Sequence, residues 1–440
     1  MKLIPLFLTS LIFSFKAIAQ NPIVPPGIYV ADPSAHSWDG KNLYVYGTRD
    51  LSTDFYCSWQ YPVLSTTDLK SWNMAENVFA SKGGNDQVPY SDRYLYAPDC
   101  QYHAGKYYLY YCLATNQNTE GVATSNSPTG PFTNAEIINT YGYNQIDPSS
   151  FIDDDGQAYY VWGQFTAKLA KMNPDMKSID STSIKEAVLT EDQHYFHEGA
   201  YMTKHNNIYY LVYADISRAE RPTCIGYAYS KNPMGPYTYG GVIVDNDHCD
   251  PEVWNNHGSI VEFNNQWYVF YHRSTHGSKM MRKACVEPIT FNSDGTIDEV
   301  EMTSQGAGKP LPAHHEIDAA RACLLFGNVR IEAIGENKEA LTKMKNTDKA
   351  AYKFIDFAGG MEKIKVRALS GVDGGTISIR VGKPWSPPIG NVNISGGGDG
   401  NFRTFSAEIQ KTTGVQAVWL TFYGKKGEAD FFQLDWFRFE

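Results

Sequence analysis

One short pattern recurs five times in the first two thirds of the chain, and it constrains the fold more than any other feature. Each copy is a turn of Asp, Asn or Gly followed by an alternating, aromatic-rich strand, which is typical of a β-hairpin. The copies occupy residues 39–46, 104–111, 155–162, 206–213 and 264–271. Their spacing of 51–65 residues is close to the roughly 40–50 residues of known propeller blades. The repeat predicts a five-bladed β-propeller over residues 20–312; the alternative is a large β-sandwich whose hairpins are similar by chance.

The repeat pattern stops before a polar segment rich in Gly and Pro at residues 301–312, which we interpret as a linker. Residues 313–440 then show short alternating strands separated by Gly-rich turns. This pattern predicts a separate, jelly-roll-like β-sandwich. We therefore expect an all-β chain with two domains.

The first 19 residues have the pattern of a signal peptide. Lys2 precedes an apolar stretch, and Ala17 and Ala19 fit the small-residue pattern of a cleavage site. The stretch is too short to span a bilayer, so we expect an exported protein, periplasmic or secreted, that does not span the membrane.

Charge and cysteine spacing narrow the function classes. The net charge of −10, without a long basic run, argues against nucleic acid as a partner. The seven cysteines form no C-x-x-C pair, which argues against a zinc or thioredoxin-type site. The sequence leaves the disulfide pattern and the oligomeric state open.

Ionisable residues recur just ahead of the repeat hairpins. Asp32, Asp99, Asp147 and Glu198 precede the first four aromatic strands, and His257 precedes the fifth. The first strand of a blade lines the central channel, so we expect these side chains to share one funnel. Carboxylates crowded on one axis repel one another, which indicates chemistry or cation binding.

Three of these acids carry a resemblance to a known family. Asp32 in Ala-Asp-Pro, Asp147 in Ile-Asp-Pro-Ser and Glu198 in His-Glu-Gly-Ala-Tyr resemble the catalytic triad of family 43 glycoside hydrolases, which are five-bladed propellers. The resemblance implies that Asp32 is the general base, Glu198 the general acid and Asp147 the modulator of the acid's pKa. It implies no cofactor for the chemistry. Asp99 matches no triad member, and we expect it to be structural.

The fifth blade adds two further expectations from this resemblance. His257 resembles the family's axial histidine, which often lies beside a bound calcium or other ion, so a structural Ca²⁺ near His257 is expected. Arg273 resembles the arginine that contacts the modulator and the sugar. Among the aromatic residues, Trp162 and Trp254 flank the acid-bearing strands, and we expect them to stack on sugar. The alternative for these tryptophans is packing between blades.

The implied reaction is hydrolysis of a glycosidic bond with inversion. One ionised carboxylate deprotonates a water while a protonated one donates to the departing oxygen, and the two lie roughly 6.5–9.5 Å apart. Activities common among similar chains point to terminal pentose, above all α-L-arabinofuranose, on plant polysaccharides or oligosaccharides. The alternatives are β-xylosidase, endo-arabinanase or galactan-directed hydrolysis, and, in another class, a non-catalytic carbohydrate-binding propeller.

The C-terminal region resembles family 6 carbohydrate-binding modules through residues 431–437 and the Gly-rich strands before them. The resemblance implies a second place for sugar, with Trp385 as a candidate platform. A purely structural sandwich packed on the propeller is the alternative.

Overall fold

The computed structural model describes residues 12–15, 20–84, 86–116, 119–143, 145–218, 220–398, 400–424 and 430–440. Strands dominate these residues, and their helical segments are a short α-helix, α1 (Glu191–His194), and the 3-10 turns Ser181–Ser183 and Ala319–Arg321. Most of the predicted signal peptide lies outside the described residues; Ile12–Phe15 (β1) is described as a strand. Within the described ranges, no helix is long and apolar enough to cross a membrane.

The N-terminal part of the chain forms five blades, each a meander of antiparallel strands. The first blade contains β2 (Val30–His36), β3 (Leu43–Arg49), β4 (Gln60–Thr66) and β5 (Trp72–Ala80), with β1 paired outside β5. The second contains β6 (Asp99–His103), β7 (Lys106–Cys112), β8 (Glu120–Ser125) and β9 (Thr133–Ile137). The third contains β10 (Ser149–Ile152), β11 (Ala158–Trp162), β12 (Thr166–Lys171) and β13 (Lys185–Thr190).

The last two blades complete the predicted propeller. The fourth blade contains β14 (Phe196–His205), β15 (Ile208–Asp215), β16 (Cys224–Ser230) and β17 (Thr238–Asp245). The fifth contains β18 (Ser259–Phe263), β19 (Gln266–Thr275) and β20 (Ser278–Ile289), three strands among the described residues rather than four. Aromatic residues from the repeat hairpins, such as Tyr110, Tyr160 and Tyr213, are fully buried between the sheets, which explains why the repeats need alternating aromatic positions.

The ring of blades closes between the two ends of the propeller sequence. β2 runs parallel to β20 and pairs with it at Val30 and Lys283, so the first and fifth blades share one sheet. Asn21 reinforces this closure, because its side-chain amide donates to the Val286 carbonyl and to Glu287 of the fifth blade. The segment that leads into the first blade is thereby attached to the fifth blade.

The C-terminal part forms two sheets around a separate apolar core. One sheet contains β21 (Leu311–Pro312), β23 (Leu324–Phe326), β26 (Lys349–Asp356), β28 (Gly374–Val381), β29 (Gly390–Ser395) and β31 (Val415–Tyr423). The other contains β22 (Ile317–Asp318), β24 (Arg330–Gly335), β25 (Lys338–Thr342), β27 (Met361–Ser370), β30 (Phe402–Thr412) and β32 (Phe432–Phe439). The predicted sandwich is confirmed, and β21 shows that it takes in the end of the segment predicted as a linker.

The sandwich and the propeller share a buried interface. Cys323 and Trp419 of the sandwich pack in one apolar cluster with Tyr271 and Cys285 of the fifth blade. Lys283 Nζ also forms a buried ion pair with Glu339 Oε2, over 2.5 Å. All seven cysteines lie in the described part of the chain, buried and without a disulfide.

Candidate active site

Three of the four recurring acids meet in one central cavity of about 390 Å³, whereas Asp99 does not line it, contrary to the expectation of one shared funnel. Asp32, Asp147, Glu198, His257 and Trp254 all line this cavity. These are five of the seven residues that the sequence singled out for a site. The structure does not bring the other two, Arg273 and Trp162, to the cavity.

Backbone geometry is unusual at two of the acids. Asp32 lies in β2 where the pairing with β3 shifts between Ala31 and Ser34, and its φ is 53°. Asp147, just ahead of β10, has a φ of 59°. Non-glycine residues rarely adopt positive φ, and such conformations cost about 1–3 kcal/mol each and cluster at functional sites. The strain supports a functional role for both acids.

Asp32 is buried against positive charge. Its Oδ1 accepts a hydrogen bond from Arg282 Nη1 over 2.8 Å, and its backbone N–H donates to His272 Nδ1 over 3.2 Å. Burial alone would raise the pKa of Asp32, but above all the positive charge of Arg282 outweighs it and holds the pKa below its ordinary value. Asp32 is therefore ionised at neutral pH, as a general base must be.

Arg282 is the functional arginine that the sequence reasoning missed. It donates to both oxygens of Asp50, over 2.9 Å each, while a third nitrogen reaches Asp32. Its guanidinium carbon lies 5.3 Å from the ring centroid of Tyr56, which also lines the cavity. The Arg282 side chain is therefore held by contacts on three sides, and its positive charge lies against Asp32.

Arg273 lies elsewhere, and its predicted contact with the sugar and the modulator is wrong. Its Nη2 donates to the Tyr271 hydroxyl and to the Thr303 carbonyl, each over 2.6 Å, and lies 3.4 Å from Glu287 Oε1. These partners are buried within the fifth blade and the segment after it. Arg273 therefore stabilises the packing behind the blade.

Asp147 carries the opposite pKa shift to Asp32. Burial raises its pKa well above the ordinary value, and the negative charges of Glu198 and Asp32 raise it further. The raised pKa means that Asp147 retains a proton where Asp32 has lost its own.

Glu198 lies at an irregularity of β14, where the pairing with β15 shifts on both sides of it. Such bulges re-aim side chains next to active sites. Gly199 follows with a φ of 70°, and a Cβ there would lie 2.6 Å from His257 Nε2. Glycine is therefore needed at this position of the His-Glu-Gly motif, because it lets the His257 ring pack beside the acid.

His257 lies between Asp32, the expected general base, and Asp147, the expected modulator of the acid's pKa. Its Nδ1 is 3.6 Å from Asp32 Oδ1 and 3.9 Å from Asp147 Oδ2. Burial lowers its pKa despite the nearby negative charges of Asp32 and Glu198. A neutral imidazole therefore separates the two carboxyl groups.

Two tryptophans predicted to stack on sugar have different positions. Trp254 lines the cavity, and Lys279 Nζ lies 4.5 Å from its ring centroid. Trp162 is fully buried between the second and third blades, where its Nε1–H donates to the Tyr143 carbonyl over 2.7 Å. The prediction that Trp162 stacks on sugar is therefore wrong, and its role is packing.

The calcium expected near His257 meets an unsuitable set of side chains. In the part of the chain that the structure describes, no group of three or more His, Cys, Asp or Glu side chains could hold a metal ion. Calcium takes six to eight oxygen ligands, whereas the nearest carboxylate, Asp32, is already paired with Arg282. We derive no step through a metal ion.

An ionised and a protonated carboxyl group in one cavity define the class of an acid–base hydrolase. Comparison with known proteins agrees: the profile of glycosyl hydrolases family 43 matches residues 19–297, and that of carbohydrate binding module family 6 matches residues 326–440. The chain belongs to family 43 of the glycosyl hydrolases. The resemblance noted in the sequence is thereby confirmed for both parts of the chain.

Relatives extend over nearly the whole length. A xylosidase/arabinosidase of Thermoclostridium stercorarium is 30% identical over 92% of this chain and 96% of its own. The crystal structure of a family 43 arabinoxylan arabinofuranohydrolase from Bacillus subtilis, in complex with cellotetraose, is 26% identical, covers 96% of this chain and 98% of its own, and has a TM-score of 0.54. A β-xylosidase/α-arabinofuranosidase from a compost metagenome, with xylotriose and in calcium-free form, is 31% identical over 65% of this chain and 98% of its own, with a TM-score of 0.54.

Proposed function

We propose that this chain removes terminal pentose, α-L-arabinofuranose or β-xylose, from arabinoxylan-type polysaccharides or oligosaccharides, with inversion at the anomeric carbon. The observation that carries the chemistry is the contrast between Asp32, whose pKa is lowered, and Asp147, whose pKa is raised beside Glu198. The names of the relatives supply the sugars, since they combine xylosidase and arabinosidase. Arabinofuranose remains our first choice.

The proposed reaction assigns one proton transfer to each side of the cavity. Asp32, ionised and held by Arg282, takes a proton from a water whose oxygen attacks the anomeric carbon. Glu198, as the general acid, gives a proton to the departing glycosidic oxygen as the bond to carbon breaks. Asp32 leaves the step protonated and Glu198 leaves it ionised, so proton return to the solvent resets the site.

The size of the cavity supports action at a chain end. A volume of about 390 Å³ is near the lower end of the roughly 300–1,000 Å³ typical of small-ligand sites. Such a space suits one or two sugar units better than a continuous polymer.

The acid and base can be tested with three isosteric variants. We expect Glu198→Gln and Asp32→Asn each to lower kcat on arabinoxylan oligosaccharides by about 100- to 10,000-fold, because each removes one proton transfer. Asp154→Asn is the matched control, since that carboxylate is 85% exposed in a turn. Chromatography of released arabinose and xylose gives the rates, and NMR of the first product gives the anomer.

Each unexpected result of this test contradicts a different part of the proposal. Full activity in Glu198→Gln would contradict the assignment of the acid. A retained anomer would contradict inversion. A wild-type chain that binds sugars without cleaving any of them would favour the carbohydrate-binding propeller.

Calcium beside His257 is a weaker part of the sequence prediction, and it has a direct test. Because the side chains there supply too few oxygen ligands, we expect chelation with EDTA to leave both Tm and activity unchanged. Differential scanning calorimetry before and after EDTA, and after addition of CaCl₂, measures this. A Tm that falls with EDTA and returns with calcium would restore the predicted ion.

Export is the remaining part of the proposal and rests on the first 19 residues. Cleavage after Ala19 would leave a mature chain that begins at Gln20, the first residue of the described range 20–84, and would remove β1. N-terminal sequencing of protein recovered from the periplasm or the medium tests this boundary.

A further inference from the structure

Glu198 is held by a side chain from the neighbouring blade. Gln164 Nε2 donates to Glu198 Oε2 over 2.7 Å, and both residues line the cavity. Gln164 lies between β11 and β12 of the third blade, and its backbone forms an isolated bridge with that of Glu198 in β14. The hydrogen bond therefore fixes the acid across the gap between two blades.

The backbone of Gln164 is itself anchored from behind. Its N–H donates to Gln145 Oε1 over 2.7 Å, and Lys168 Nζ donates to the same oxygen over 2.8 Å. Lys168 is only 6% exposed, and it also donates to Thr166 Oγ1 over 2.8 Å. A partly buried network of satisfied hydrogen bonds restrains its members, so Gln164 presents its amide to the acid from a defined position.

A glycine makes this close arrangement feasible. Gly163 has a φ of 131°, and a Cβ there would lie 2.3 Å from the Thr166 carbonyl oxygen and 3.0 Å from Gln145 Oε1. Any other residue would displace the amide that supports Gln164. The turn is therefore built around this hydrogen-bonded support.

We propose that Gln164 is a positioning residue that decides which oxygen of Glu198 carries the catalytic proton. An amide N–H can only donate, so the oxygen it contacts must accept. With Oε2 occupied by Gln164, the proton of Glu198 lies on Oε1, the oxygen left for the departing glycosidic oxygen. This inference rests on the proposed function, because it assigns Glu198 as the general acid.

Leaving groups of different basicity separate acid positioning from a general structural effect. A sugar leaving group needs the proton from Glu198, whereas nitrophenolate departs largely without it. We expect Gln164→Met to lower kcat on a xylo- or arabino-oligosaccharide by about 10- to 100-fold, the scale of one hydrogen bond to a charged group. The loss on the matching nitrophenyl pentoside should be several-fold at most.

A second variant tests the electrostatics. Gln164→Glu keeps the shape but places another carboxylate against Glu198, which disfavours ionisation of the acid in this variant. We expect the alkaline limb of the kcat/KM profile to move to higher pH. Gln157→Met and Gln157→Glu are matched controls, because the Gln157 amide donates to the Ala158 and Met172 carbonyls in a hairpin of the same blade.

The outcomes distinguish failure of this inference from failure of the proposed function on which it rests. Equal losses on both leaving groups, or an alkaline limb that stays in place in Gln164→Glu, would overturn the positioning role. If the wild type releases no sugar at all, the proposed function fails instead. Carboxyl ¹³C NMR titration of wild type and Gln164→Glu then tests the contact itself without turnover: a Glu198 signal that titrates at higher pH in the variant supports the contact between residue 164 and the acid, and an unchanged one overturns it.

Discussion

Arg282 contacts two buried carboxylates at once, and its geometry explains how Asp32 stays ionised although it is buried. It forms a bidentate ion pair with Asp50 and donates a further N–H to Asp32. Burial raises the pKa of Asp50 despite this contact, while the pKa of Asp32 is lowered. The guanidinium is planar and offers several donors, so a lysine could not make all of these contacts.

Replacing Arg282 should therefore change the pH dependence of the reaction. In Arg282→Lys, weaker stabilisation of the carboxylate raises the pKa of Asp32, so the base is protonated over a wider acidic range. We expect the acidic limb of kcat/KM to move to higher pH, with a loss of about 10- to 100-fold at neutral pH. Steady-state kinetics across pH measure both effects.

The control for this change is another arginine with two acidic partners. Arg218 is partly exposed and pairs with Asp245 and Glu299, and none of the three lines the cavity. Arg218→Lys should keep the wild-type profile. An acidic limb that does not move in Arg282→Lys would argue against control of Asp32 by this charge.

Strand register shows why the sequence pointed to the wrong arginine. In the last hairpin Arg273 is opposite Lys283, while Arg282 is opposite Ser274. Cross-strand partners share a face and the next position points the other way, so Arg273 lies on the face of Lys283, away from the acids. The sequence places both arginines on one hairpin, but the register that separates their faces is set by tertiary pairing.

The acids were easier to predict because each lies at the same place in its blade. Asp32, Asp147, Glu198 and His257 reach one cavity through the repeat, which the sequence shows directly. Gln164 belongs to no repeated position, since it lies in a turn between two strands. Trp162 flanks an acid-bearing strand in sequence, yet the alternation of β11 directs it into the packing between blades.

At the scale of elements, Asp99 joins the innermost strands of three blades. Its Oδ1 accepts from Ser34 Oγ and lies 2.6 Å from His36 Nε2, both in β2. Its Oδ2 accepts from the Ser150 N–H in β10 over 2.7 Å. The structure thus supports the structural role expected for Asp99, and a buried carboxylate acts as a junction between strands that share no ladder.

Removing this junction should weaken the fold more than the chemistry. Asp99→Ala leaves buried donors on the first and third blades without an acceptor, so we expect the free energy of unfolding to fall by roughly 3 kcal/mol. Asp39→Ala, in an exposed turn, is the control, with an expected loss within about 1 kcal/mol. Urea unfolding measures both. Normal stability with lost activity would instead place Asp99 in the reaction.

The repeat predicted the number of blades because each blade must bury an aromatic strand against its neighbours. It did not predict that the fifth blade has three strands among the described residues, or that this blade shares a sheet with the first. Those features depend on how the ring closes, which no local pattern records. Closure pairs residues that are far apart in the sequence.

At the scale of the whole molecule, a buried ion pair joins the propeller to the sandwich. Burial lowers the pKa of Lys283, and Glu339 opposes this effect across the interface. Both side chains are at most 3% exposed. Breaking a buried pair leaves one uncompensated charge, which is strongly destabilising.

We expect Glu339→Gln to lower the free energy of unfolding of the whole chain by about 3–5 kcal/mol. The double variant Lys283→Met with Glu339→Leu should recover most of that loss, because no charge then stays buried. Lys343→Ala, which breaks an exposed pair with Glu332, should cost no more than about 1 kcal/mol. Chemical unfolding of the three proteins measures this, and similar losses in all of them would mean that the interface does not depend on the pair.

The contact between Arg282 and Asp32 spans 250 residues of sequence and lies beside the seam where β2 meets β20. During synthesis, Arg282 cannot stabilise the ionised carboxylate of Asp32 until nearly the entire propeller has been made and β2 has paired with β20. The same holds for a molecule whose ring opens transiently. The proposed active site is therefore complete only when the propeller ring is closed, because Arg282 contacts Asp32 beside the pairing of β2 with β20.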